Sequence, residues 1–141
     1  DNLRADFDRE FKSARCVIVM LGEDCAANPW IRYAIERSYV QEKPMFALDI
    51  SGIPDENGHT CVADINPLER FAVLENGEKV YLSERYATYE WDENLLTALP
   101  NCLKRADQSA SQVAASKHQQ QASQSTNYRD YESMRLVNSS L

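Results

Sequence analysis

The residues best suited to chemistry cluster early in the chain, around Gly22, Glu23, Asp24, Asn28, Trp30 and Arg32. A loop that starts on glycine can offer backbone amides to a ligand, and an arginine offers a planar fork of donors that matches phosphate. Each feature also has a plainer use. Arg32 falls in a helical pattern, where an exposed arginine needs no ligand, and Glu23 and Asp24 make the loop acidic, which opposes direct phosphate binding there. The four cysteines, Cys16, Cys25, Cys61 and Cys102, form no C-x-x-C pair. Cys16 lies in an apolar run, where a thiol behaves as a small hydrophobe. With only His59 and His118 to add, the cysteines read as reduced structural thiols, no metal site is expected, and a cytoplasmic location fits.

The elements that must position this loop read clearly. An apolar run at 16–21 stops at Gly22, and a second at 45–50 follows Lys43-Pro44. Short apolar runs bounded by Gly and Pro suit strands buried on both faces. Between them Asn28 caps a helix and Pro29 takes its first position. Ile31, Ile35 and Tyr39 share one face of that helix toward the sheet, with Trp30 and Ala34 on a neighbouring row. Strand, helix and strand make a βαβ unit with a parallel sheet, whose ligands sit at the carboxyl ends of the strands. The loop 22–30 is such an end.

Around this unit, residues 1–15 read as a helix with Leu3, Phe7, Phe11 and Ala14 on one stripe. Residues 51–75 form a long, turn-rich connection. Asn76-Gly77 is a hairpin signal between short strands at 71–74 and 79–82. Residues 87–91 are a third core-strand candidate, interrupted by Thr88 and Glu90. A last helix from Asp92 to about Ala106 carries Leu95, Leu96, Leu99 and Leu103, with Pro100 implying a kink or a late start.

A length of 141 residues suits one domain, and a net charge of −7 argues against a nucleic-acid surface. No apolar run approaches the roughly 18 residues of a membrane helix. After Ala106 the composition turns to Gln, Ser and Ala, with Val113 the sole large apolar residue before Tyr128. Such a segment is expected to be disordered or to lie against something. The expected division is therefore an α/β domain over 1–106 and a polar tail over 107–141, with a terminal helix or an intermolecular contact near its end.

The central stretch resembles a TIR domain, in particular the TIR-like proteins of Thoeris antiphage defence. The resemblance is carried by Lys12-Ser13-Ala14-Arg15 leading into CVIVMLG, by Asn28-Pro29-Trp30-Ile31-Arg32-Tyr33 where the family has W-[VI]-R-Y-E-I, and by Glu42-Lys43-Pro44. Asn66-Pro67 and Tyr89-Glu90-Trp91-Asp92 add weaker matches. The implied fold is a flavodoxin-like, TIR-type parallel sheet with flanking helices. The usual first strands of that fold do not precede Asp1, so the chain is expected to start at the helix before the third strand.

The family's catalytic glutamate stands four residues after the tryptophan, and here that position is Ala34. Glu36 is turned by roughly 200° on the helix and does not substitute. The replacement is read most simply as a deliberate inactivating substitution. A natural inactive paralogue and an ordinary core alanine are the alternatives, and a parental coding sequence with alanine there would exclude the first. The resemblance implies cleavage of the nicotinamide–ribose bond of NAD, taken as substrate rather than cofactor, to make an ADP-ribose-derived signal read by a separate effector. It implies Ala34 at the catalytic slot, with Trp30, Asn28, Gly22 and Arg32 around the ligand. Trp30 would wall the nicotinamide side, although packing of the helix on the core explains it equally. The implied partners are NAD and either further copies of the chain or a partner protein, so a non-catalytic interaction module is the competing reading.

Overall fold

In the computed structural model, which describes residues 2–62, 64–123 and 137–138, two three-stranded sheets share one core. The first is parallel, in the order β1 (Val17–Leu21), β2 (Met45–Asp49), β5 (Thr88–Glu90). Val17 pairs with Met45 and Ala47 with Thr88. The second is antiparallel, in the order β4 (Glu78–Tyr81), β3 (Phe71–Glu75), β6 (Val137–Asn138). Asn76 and Gly77 both take positive φ, 54° and 82°, in the β3–β4 turn, which is why Asn-Gly suits a two-residue hairpin.

The expected βαβ unit is present. Helix α2 (Pro29–Val40) starts where the Asn28 carboxamide oxygen accepts from the amides of Trp30 at 2.8 Å and Ile31 at 3.4 Å. Ile35 and Tyr39 are fully buried with Val19, Leu21, Met45 and Ala47 in the larger core, and Ile31 packs at its margin. Val73, Val80, Leu82 and Tyr86 join the same core, so the second sheet closes over α2's side of the first. Central strand β2 is buried along nearly its whole length, as its unbroken apolar run requires.

Helix α1 (Asn2–Ser13) packs on α2 through rings rather than aliphatic side chains. Phe7 lies 5.8 Å from Phe11, 5.6 Å from Trp30 and 5.3 Å from Tyr33 between ring centroids. The Tyr33 hydroxyl donates to Asp8 at 2.8 Å, which fixes the register of the two helices.

The opposite face of the sheet is covered by α4 (Leu95–Ser123). Leu95, Cys102 and Ala106 bury Phe46 and Leu48 of β2, with Leu99 and Leu103 alongside. Leu96, expected on the same stripe, is instead 71% exposed. The Asp92 side chain accepts from the Asn94 amide at 2.7 Å just before the helix, and Pro100 sits inside its second turn without ending it.

The largest departure from the sequence reading lies beyond residue 106. The helix continues to Ser123 without a break, and Ser109, Ala110, Val113 and Lys117 are buried. Small side chains every three or four residues let the polar stretch lie close to the core, and Val113 joins it outright. The terminal helix expected near the chain's end lies outside the described residues, apart from the two residues of β6. No helix among the described residues is long and apolar enough to cross a membrane.

Candidate functional site

Helix α2 has two flanks with different chemistry. On one, Ala34 is half-buried and lines an open groove of about 250 Å³ with Phe7, Ile18, Val19, Met20, Trp30 and Ile31. The groove runs alongside β1, at the level of Ile18 to Met20, rather than beyond the strand's carboxyl end. Its lining is almost wholly apolar. Trp30 closes one end, held by Phe7 and set edge-on to Tyr33 at 6.0 Å. A carboxylate at position 34 would therefore sit on an apolar wall, where desolvation favours its neutral form and any cationic ligand is attracted strongly once it is ionised.

On the other flank, Arg32 lines a cavity of about 330 Å³ with Ala26, Ala27, Asp64, Arg70 and Phe71. This cavity sits at the carboxyl end of β1. The turn Cys25–Ala27 forms one side and α3 (Pro67–Arg70), capped by Asn66, forms the other. The Arg32 guanidinium lies over the Phe71 ring at 5.0 Å.

The sequence-predicted residues thus separate. Trp30 and Ala34 meet in the apolar groove, whereas Arg32 turns to the other cavity. The Asn28 carboxamide oxygen is occupied in capping α2. Gly22 accepts at its carbonyl from the Asp64 amide at 3.4 Å, tying the loop to the long connection. A Cβ on Gly22 would meet Ile50 at an ordinary 3.8 Å, so close packing does not demand glycine there. Cys25 is buried under the same loop, its thiol 3.9 Å from the Ile65 carbonyl, and desolvation raises its pKa.

Sequence reasoning did not single out Phe7, Ile18 and Met20 as groove residues, or Arg70 as Arg32's neighbour. The apolar run 16–21 reads as a strand buried on both faces, and no local pattern marks the positions of Ile18 and Met20 as open. Arg70 is brought to Arg32 by tertiary packing of α3. All four cysteines are free thiols, and no group of three His, Cys, Asp or Glu side chains among the described residues is arranged for a metal ion. A further open depression of about 610 Å³ is formed by β5 and the start of α4; Cys102 lines it, but Ala34, Trp30, Asn28, Gly22 and Arg32 do not.

A parallel sheet ordered β1-β2-β5, with α2 on one face and α4 on the other, is an α/β architecture consistent with a TIR-like or flavodoxin-like fold. Within that class the likeness is to Thoeris: residues 1–55 match the family model described as Thoeris protein ThsB, TIR-like domain. The match runs through α1, β1, α2 and β2, the elements that build the groove, and stops in the connection beyond them. No curated protein matches the chain.

Proposed function

We propose that the chain is a TIR-like protein of antiphage defence built for cleavage of NAD, and that its catalytic position is occupied by Ala34. The observation that carries this reading is the place of Ala34: one turn after Trp30, on an open groove, in the part of the chain that matches the family.

The chemistry explains what the slot requires. The nicotinamide of NAD leaves carrying positive charge that the departing bond neutralises, so no general acid is needed. Charge builds instead on the ribose ring as an oxocarbenium ion. A carboxylate beside that ring stabilises the charge and accepts from ribose hydroxyls. A methyl group does neither, while leaving α2 intact, since alanine is the best helix former. The chain as it stands binds NAD against Trp30 and turns it over poorly.

The test is Ala34→Glu in the chain, with nicotinamide release from NAD followed by chromatography over a range of protein concentrations. Release should rise by about 100-fold or more over the parent chain. Equal, background-level release from both proteins at every concentration would count against a catalytic groove. The second reading, a non-catalytic assembly module, is favoured by the open edge of β1, where Ile18 and Met20 are 39% and 50% exposed. Concentration-dependent assembly without turnover by the glutamate form would select it.

A further inference from the structure

We propose that the Arg32–Arg70 cavity is a binding site for a phosphate-bearing small molecule, separate from the groove that holds Ala34. The chain carries 22 acidic against 15 basic residues other than histidine, so carboxylate partners are plentiful, yet only three of the eight described arginines pair with one. Arg15 pairs with Asp107 at 2.9 Å, Arg85 with Glu75 at 2.8 Å and Arg9 with Asp6 at 3.2 Å. Arg32 and Arg70 line the same cavity, and neither forms an ion pair or side-chain hydrogen bond with any other described residue. Two cations that line one cavity and are paired with no carboxylate can both be met by an anion bound there.

The geometry favours phosphate over a carboxylate of comparable size. The two guanidinium groups come from different elements, α2 and α3, so a ligand with oxygens on several sides can meet both. Each planar fork can donate two parallel bonds to phosphate. Arg32 is steadied over the Phe71 ring, which lowers the entropy lost when it binds. Ala26 and Ala27 present only methyl groups, and a cavity of about 330 Å³ is at the small end of ligand-pocket sizes. Proximity to α2's first turn adds a favourable dipole.

Asp64 is the one acid on the cavity wall. Its carboxylate accepts from the Ile65 amide at 2.8 Å and lies beyond ion-pair distance of either arginine. It opposes anion binding and so sets an upper limit on affinity. That gives the proposal a sign that a merely structural role for these residues does not share: removing the Asp64 charge tightens binding.

Pyrophosphate, AMP, NAD and sulfate are titrated in turn into the chain in phosphate-free, low-salt buffer, by calorimetry or amide chemical shifts. Pyrophosphate and at least one nucleotide are expected to bind. Arg32→Gln and Arg70→Gln should each weaken binding by about tenfold, and Asp64→Asn should tighten it several-fold. Arg15→Gln makes the same change in net charge and should leave binding unchanged. Thermal midpoints within a few degrees of the parent show that each variant is folded. Stronger binding of AMP or NAD than of pyrophosphate would extend the site to a nucleoside. Binding of sulfate as tight as that of pyrophosphate would mean an adventitious ion only and would overturn the proposal, as would no binding, equal weakening by Arg15→Gln, or no effect of Asp64→Asn. Ala34→Glu should leave pyrophosphate binding unaltered, so this site stands or falls independently of NAD cleavage.

Discussion

The two edges of the parallel sheet are built differently. At one edge, β5 is three residues long, and its outward positions are Thr88 and Glu90, both exposed. Thr88 is further engaged, its hydroxyl accepting from the Asn66 side chain at 2.9 Å. Short length, a charge and a polar partner are the ordinary means of protecting a sheet edge. At the other edge, β1 is five residues long and wholly apolar, with Ile18 and Met20 on the same sheet face as Phe46 and Leu48 but left exposed beyond the cover of α4. β5 is composed as an edge and β1 as an interior strand. The Ala34 groove is the visible consequence: it exists because nothing among the described residues covers β1 on its outer side.

This contrast can be broken at its centre. Phe46 lies on β2 between the two edges, fully buried, with its ring set edge-on to Tyr89 of β5 at 5.4 Å. Phe46→Ala should destabilise the fold by about 4 kcal/mol in denaturant unfolding, since it leaves a cavity under α4 and unseats β5. A loss below about 1 kcal/mol would mean that β5 is held by its backbone pairing alone.

The contrast can be sharpened at β1. The parent chain is expected to self-associate through its apolar edge, and Ile18→Lys with Met20→Lys should raise the apparent dissociation constant by about tenfold or more in sedimentation. Because both side chains are already exposed, unfolding stability should change by no more than about 0.5 kcal/mol. Unaltered association in the double variant would place the contact elsewhere.

A third test concerns how far α4's cover extends. The buried Lys117 ammonium donates to the carbonyls of Tyr39 and, at 3.3 Å, Val40, so it caps the end of α2. Burial lowers its pKa from 10.5 to about 8, against the opposing pull of Glu42 and Glu75. Between those values the unfolded chain holds a proton that the folded chain has lost, so stability rises with pH across that window. Relative to Lys117→Met, the parent should gain roughly 1 kcal/mol between pH 7.5 and 9. The comparison with the variant matters because Cys16, raised by burial from 9.0 to about 11, works in the opposite direction above pH 9. Parallel pH curves for the two proteins would mean that the ammonium stays solvated. The smallest effect belongs to the protected edge: Thr88→Ala should cost about 0.5 kcal/mol, the worth of one exposed hydrogen bond.

The same contrast explains what the sequence made legible. Residues 16–50 announced their elements because apolar runs, an Asn-Pro helix start and a Lys-Pro stop are local signals, and each lies within a residue or so of the observed boundary. Thr88 and Glu90 interrupt the apolar pattern of 87–91, and the structure gives the cause: that strand is an edge. The exposure of β1 could not be read, because an apolar run looks the same whether or not a neighbour covers it. Nor could the burial of Val113 and Lys117, since a Gln- and Ser-rich helix shows no stripe and its contacts are supplied by α2 and β3 from far along the chain. For the site, Trp30 and Ala34 were legible as neighbours through helical spacing alone. The separation of Arg32 from them, and its meeting with Arg70, needed the tertiary fold.

The parallel pairing of β1 with β2 also has a consequence in time. The Val17 amide donates to the Pro44 carbonyl at 2.9 Å and the Leu21 carbonyl accepts from Ile50 at 3.0 Å, so odd-numbered residues of the strand point their backbone groups at β2. The even-numbered amides, Ile18 and Met20, point away from it. In deuterated solvent the strand should therefore label in alternation, Ile18 and Met20 within the first moments and Val19 only when the sheet opens. One strand would carry two clocks, and anything that came to lie along its outer side would stop the faster one.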